Sequence, residues 1–345
     1  MPEKRETIAA YKKTILWGTE ATLNEAEREL LITNPVDCIS KTVEFTDIEE
    51  SGTVWREESE PGKVKCDLSP SVYLRYNDPV AHTILAQVLG SQTTPATVST
   101  LAYSSEYIPS DNIEGRIGTF AVDKVTKVHV VPSVKWNSFT LSAKPGVPVE
   151  TQFKGIGKDE LINSTVNTTL SSVTSTDRTN RMQLKDAVIR VNDQTGATLG
   201  EADKITVTSF TFEFTRPQTS DYENNGSNTV SEPLGDGYPA AKVSLDFRKY
   251  GATEAEYYSD WVAGTTKKMD VLFEGSTIEG SEKYLFQMLF PRLKIKEVKT
   301  SGSNNIVTSV SMDCEAPVTA PSGMNGLTKP FKIAVKNKIS ARLVP

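Results

Sequence analysis

The sequence predicts a mainly β protein built from two tandem copies of one β-sandwich or barrel unit, each with one flanking α-helix. Three observations predict it. Short segments alternate apolar and polar residues, the period of half-buried strands, as in Thr42-Val43-Glu44-Phe45-Thr46 and Arg292-Leu293-Lys294-Ile295-Lys296. Turn-forming runs such as Lys144-Pro145-Gly146, Gly235-Asp236-Gly237 and Ser301-Gly302-Ser303-Asn304-Asn305 separate them. Matching segments also recur in the same order in both halves of the 345 residues.

Residues 1–31 read as an N-terminal arm with a helix-like stretch at 21–31. The first unit, 32–165, opens on the strand around Thr42–Thr46, crosses a polar loop at 47–62, and continues through Lys63-Val64-Lys65-Cys66-Asp67-Leu68. Asp78 can cap a helix that Pro79 begins, with Val80, Ile84, Leu85, Val88 and Leu89 as its apolar stripe and Gly90 as its stop. Val131-Pro132-Ser133-Val134-Lys135-Trp136 and 149–153 form a closing hairpin. A polar linker at 166–183 follows, and the sequons at Asn163 and Asn167 read as accidental.

The second unit, 184–317, repeats this order. Thr211-Phe212-Glu213-Phe214-Thr215 matches the first strand, and Lys242-Val243-Ser244-Leu245-Asp246-Phe247 the second, across a long loop at 216–237. Thr253 and Glu256 make a capping box before Tyr257, Tyr258, Trp261 and Val262, with Gly264 as the stop. Phe290-Pro291-Arg292-Leu293-Lys294-Ile295 matches the segment at Val131, and 307–312 returns. Residues 318–345 are a basic arm holding Lys329, Lys332, Lys336, Lys338 and Arg342 and no acid.

Composition narrows function. Thirty-eight Lys and Arg against 44 Asp and Glu give −6, a poor balance for gripping nucleic acid, which needs clustered cations. The deficit lies in residues 1–165, with 17 bases and 23 acids; residues 166–345 hold 21 of each. No run nears the ~18 apolar residues of a membrane helix, and the N-terminus leads into no signal-like apolar stretch. Cys38, Cys66 and Cys314 have no metal-binding spacing. His82 and His129 are the only histidines, and no Walker A loop, nucleophile elbow, zinc helix or calcium loop is present. No catalytic residue, cofactor or metal is expected, so a structural or binding role is. Trp55, Trp136 and Trp261 fall in a loop, a strand and a helix, which argues for packing over a stacking platform.

The duplicated order of strand, long loop, strand, helix and closing hairpin resembles the major tail tube proteins of long-tailed bacteriophages. Phe210–Pro217, the polar excursion 218–237 and Tyr238–Phe247 carry the resemblance best, with Trp136–Ser142 and 148–157 similar to the segment closing the first unit. It rests on arrangement rather than on an invariant motif. The resemblance implies a non-enzymatic virion protein whose sheets join between subunits into a ring-shaped β-barrel. Stacked rings would give a passive channel for DNA ejection into the host. Two fused units imply a trimer imitating six-fold symmetry. The implied partners are further copies of itself, with tape measure, tail terminator and tail-tip proteins; assembly would occur in the host bacterial cytoplasm, without a membrane. DNA would pass without specific binding. A tail-tip adhesin and an Hcp-like secretion-tube component are the alternative readings.

Six units of four strands make about 24 strands, and at ~4.8 Å spacing and a tilt of roughly 40° the backbone diameter is about 48 Å. Side chains reduce the bore to roughly 35–40 Å, wide enough for a duplex. Alternation sets Thr42, Glu44 and Thr46 opposite Val43 and Phe45, and Thr211, Glu213 and Thr215 opposite Phe212 and Phe214. Likewise Glu150 and Gln152 oppose Thr151 and Phe153, and Ser309, Ser311 and Asp313 oppose Val310 and Met312. These polar residues are the candidate channel lining. The long loops, with Glu49, Trp55, Glu58, Tyr222, Asn224 and Asn228, are the candidate ring-to-ring bridges. Lys332, Lys336, Lys338 and Arg342 are the candidate contacts of the basic arm with a neighbouring subunit.

Overall fold

The computed structural model describes residues 7–47, 59–224, 226–301 and 307–344. The first half holds β1 (Ile8–Thr14), β2 (Ile39–Asp47), β3 (Ser59–Leu68), β4 (Ser71–Tyr73), α1 (Pro79–Leu89), β5 (Ala96–Thr97), β6 (Tyr103–Tyr107), β7 (Ile117–Asp123), β8 (Val128–Ala143) and β9 (Glu150–Gly157). The second holds β10 (Ala187–Asp193), β11 (Lys204–Ile205), β12 (Ser209–Thr215), β13 (Ala240–Phe247), α2 (Ala252–Ala263), β14 (Thr266–Glu279), β15 (Glu282–Ser301), β16 (Val307–Cys314) and β17 (Lys332–Asn337).

The expected mainly β class is what the chain adopts, and its named strands pair antiparallel throughout. An inner sheet runs β2-β3-β9-β8-β12-β13-β16-β15, with β4 extending β3 along β9. A second layer is built from β1-β7-β8 and from β11-β10-β14-β15-β17-β6-β5. The long strands β8 and β15 belong to both layers. Their first parts pair with β7 and β14, and their later parts with β9 and β16. The core fills the space between. Trp136 of β8 touches Tyr11 and Phe120 from the second layer and Phe153 from the inner sheet, edge to face, at centroid distances of 5.6, 6.2 and 6.3 Å.

Each long strand changes layer at a proline. Against β7 the register steps from Gly118↔Val134 to Phe120↔Val131, which leaves Pro132 and Ser133 facing one residue. Against β14 it steps from Lys267↔Leu293 to Met269↔Phe290, which leaves Pro291 and Arg292 likewise. Proline has no N–H to give a ladder, so a bulge is where a strand tolerates it.

α1 forms where the sequence places it, whereas α2 begins at Ala252, so Thr253 lies within the helix instead of capping it and the Gly251 carbonyl accepts the first helical bond, from the Ala255 N–H. Asp78 accepts from the N–H groups of Val80 (3.1 Å) and Ala81 (3.0 Å), and Gly90 ends α1 at φ 85°. Gly264 follows α2 at φ 70°. The side chain of Thr253 lies outside the described residues.

The helix expected at 21–31 does not form. Its backbone donors are taken by other segments: Ala21 N–H bonds Thr119 Oγ1, Leu23 N–H bonds Asn167 Oδ1, and Leu30 N–H bonds the Ala9 carbonyl. Leu23 and Leu30 are buried, so the segment is an extended cover on the core. Both terminal regions also contribute strands: β1 pairs with β7 along its whole length, and β17 lies between β15 and β6.

The single chain does not close its sheet into a barrel. Among the described residues β2 pairs with β3 alone, and 296–301 of β15 pair with β16 alone. Glu49, Trp55 and Glu58, three of the candidate bridging residues, lie outside the described residues.

Candidate functional site: the polar face of the inner sheet

The inner sheet has two unlike faces. Phe210, Phe212 and Phe214 of β12, Val243, Leu245 and Phe247 of β13, and Val310 and Met312 of β16 are buried on one. The intervening residues lie on the other: Thr211, Glu213 and Thr215, then Ser309, Ser311 and Asp313, then Glu150 and Gln152, all exposed or half-buried. On β2, Thr42 and Glu44 are exposed; the side chain of Thr46 lies outside the described residues. The strand pleat therefore brings the sequence-predicted polar residues onto one surface.

Cross-strand pairing orders them into rows. One row reads Gln152–Thr140–Glu213–Lys242–Asp313–Lys294. The next reads Glu150–Ser142–Thr211–Ser244–Ser311–Glu297. Beyond it, Ser309 donates to Asp246 at 2.6 Å. Lys296 lies 3.3 Å from Asp313, Lys299 2.9 Å from Glu297, and on β3 Lys65 lies 2.9 Å from Asp67. Acids and lysines thus alternate across the face, and opposite charges on facing positions each contribute a few tenths of a kcal/mol, up to about 1 kcal/mol. Sequence reasoning had found the acids and missed Lys242, Lys294 and Lys299. The same alternation along β13 and β15 places Lys242 and Lys294, whereas Lys299 joins this face only because the bulge between Ile295 and Glu297 inverts the alternation.

The other candidates scatter. The Val64 N–H donates to the carbonyl of Asn228 at 2.8 Å, and the Asn228 side chain donates to the Gly62 carbonyl at 3.1 Å. Tyr222 donates to the Val64 carbonyl, with Lys63 4.9 Å from its ring centroid; Asn224 is exposed. The 216–237 loop thus lies along β3 of the first half. It is anchored by Lys135, buried, which donates to Glu232 Oε1 and to the Pro233 carbonyl, both at 2.7 Å. In the basic arm, Lys332 bonds Glu106 and Lys336 bonds Glu282 within the chain, while Arg342 donates to the Gln92 carbonyl and Lys338 is exposed.

Both histidines and the buried thiols have partners or surroundings within the fold. His82 is buried in α1, and its Nε2–H donates to the Arg75 carbonyl while Nδ1 accepts from Tyr107, each at 3.1 Å. Burial lowers its imidazole to about 4. His129 pairs with Glu160 at 2.7 Å. Burial raises the Cys38 thiol to about 12 and Cys66 further, the opposite of nucleophile activation. Asn167, one of the two sequons, is buried and bonded to Glu20 and the Ala21 carbonyl. Among the described residues no three His, Cys, Asp or Glu side chains come together to hold a metal ion, and no helix is long and apolar enough to cross a membrane.

No curated protein sequence matches this chain. A solved structure titled "Crystal structure of Hcp protein" is similar over 36% of this chain and 86% of its own, at 13% identity and a TM-score of 0.22, a likeness too slight to carry an argument. The phage tail tube protein family model matches residues 5–320, nearly the whole chain. A match of that extent shows the family: this mainly β chain is a structural protein of the phage tail, and it belongs to the phage tail tube protein family.

Proposed function

We propose that three copies of this chain close into a ring whose wall is the inner sheet, and that stacked rings form a passive channel for viral DNA. The observation that carries this reading is the junction inside the chain. Residues 138–143 of β8 pair with 210–215 of β12, so the two halves already join edge to edge. The open edges, β2 and the end of β15, are of the same two kinds, and joining them between copies repeats that junction. Open edges otherwise template uncontrolled association.

The pairing order supports a duplicated unit. It runs β1-β7-β8-β9-β3-β2 in one half and β10-β14-β15-β16-β13-β12 in the other, with a helix after β4 and β13. A second bulge also recurs, between Trp136 and Ser138 and between Ile295 and Glu297. The unit boundaries proposed are 32–165 and 184–317. Eight inner strands per chain give about 24 per ring, and a bore of roughly 35–40 Å follows if the barrel tilt is ordinary.

The polar face is the proposed channel lining. Its balanced charges attract a polyanion only weakly, whereas a basic wall would hold it through counterion release. The exposed residues 223–224 and 226–228 are the proposed contact between successive rings, with Lys338 and Arg342 as the remaining candidates for contact with a neighbour. Electron microscopy of the purified protein at rising concentration tests the reading. Rings of three-fold projection that stack into tubes are expected; a protein that stays monomeric at every concentration would contradict it.

A further inference from the structure

A stripe of α2 is bare where its counterpart on α1 is covered. In α1 the pairs Ile84/Leu85 and Val88/Leu89 are all buried. α2 carries the same spacing in Tyr257/Tyr258 and Trp261/Val262. Tyr257 packs on Phe247 of β13 at a centroid distance of 5.5 Å, but Tyr258 is 51% exposed, Trp261 37% and Val262 71%. Two aromatic rings and a valine grouped on one helix face are a costly surface to leave in water.

The difference has a location. α1 lies at the seam between the halves: the His82 ring is 6.3 Å from Phe286 of β15, and the Leu89 carbonyl accepts from Arg216, the first residue beyond β12. α2 packs along β15, on the core-facing side of the sheet, at the open end of the chain. At the other open end, β2 carries Phe45, 64% exposed, in the alternation that faces the core.

Pairing rows give the register by which these ends would meet. Ile39–Leu68–Gly155–Trp136 and Phe212–Val243–Met312–Ile295 occupy the same row position, each beside the same bulge. At the internal seam Arg216, four residues past Phe212, donates its N–H to the carbonyl of the bulged Asn137. Four residues past Ile39 is Val43, which takes the place of Arg216 opposite Lys296. Phe45 follows on the same face, toward the C-terminal end of α2.

We infer that the Tyr258–Trp261–Val262 face of α2 is a docking surface for a second copy of this chain, and that it seats Val43 and Phe45 of that copy's β2. The inference rests on the ring reading above. Main-chain pairing alone tolerates a slip along the edge, and aromatic anchors seated on a helix remove that freedom.

The test uses full-length protein and the variants Val262→Glu and Phe45→Lys, singly and combined. Both positions are exposed in the free chain, so circular dichroism and the melting temperature should match wild type. Each single variant should raise the concentration needed for rings at least about tenfold, and the pair should recover most of the loss. A second arm combines Phe45→Cys with Val262→Cys: oxidised rings should give covalent trimers, and either change alone should not. Wild-type rings together with single variants that assemble normally, or paired cysteines that stay unlinked in rings, would overturn the docking surface and leave the ring reading standing. A wild-type protein that forms no rings would overturn both.

Discussion

His82 and Lys135 show how single buried groups tie this chain's stability to conditions. Burial holds the His82 imidazole at about 4 against 6.5 in an open chain. Between those values the unfolded state binds the extra proton, so the stability present above pH 6.5 is lost as pH falls through this window, by about 3 kcal/mol at most. Denaturant midpoints at about pH 7 and pH 4.5 should therefore differ more for wild type than for His82→Gln. Lys135 is 2% exposed and its partner Glu232 31%. Glu232→Ala leaves a buried ammonium with the Pro233 carbonyl as its remaining partner, and should cost about 2 kcal/mol after allowance for solvent near the carboxylate. Lys135→Met combined with Glu232→Leu should recover part of that in urea unfolding, since no buried charge is left unpaired.

Among the elements, the duplication proposed above sets side by side positions that exchange volume. Trp136 sits opposite Gly155, and in the same row position Ile295 sits opposite Met312. A Cβ on Gly155 would stand 2.8 Å from the Trp136 ring and 3.0 Å from the Lys135 carbonyl, so Gly155→Ala should cost about 2 kcal/mol by overpacking, read as a lowered melting temperature. The helices were legible because their caps are local chemistry: Asp78, Pro79, Gly90 and Gly264 act within one turn of chain. The register between the halves was not. Similar residues match Thr42 to Thr211 and Lys63 to Lys242, whereas the pairing rows set Ile39 with Phe212 and Leu68 with Val243, four residues away in each case. A strand pattern of period two is unchanged by an even slip, so either matching puts the same residues on the polar face. The stretch 21–31 is extended for a different reason: its backbone N–H groups donate to Thr119, Asn167 and Ala9, which are distant in sequence, and those bonds outweigh its helical propensity.

For the whole molecule, the −6 charge does not collect on the polar face of the inner sheet, where Lys242 and Lys294 are set among Glu213 and Asp313. Shortening the turn within 220–228 while keeping the Val230–Pro233 anchor should leave rings that do not lengthen into tubes, as read by electron microscopy; tubes of normal length would remove the ring-to-ring role. On the proposed ring, one side of the inner sheet meets the channel and the other the core. A density map of the assembled protein tests this most directly. A three-fold ring is expected, with Glu213, Lys242 and Asp313 pointing into the bore and Phe212 and Val243 packed behind them. A map with Phe212 and Val243 lining the bore, or with α2 doing so, would contradict it.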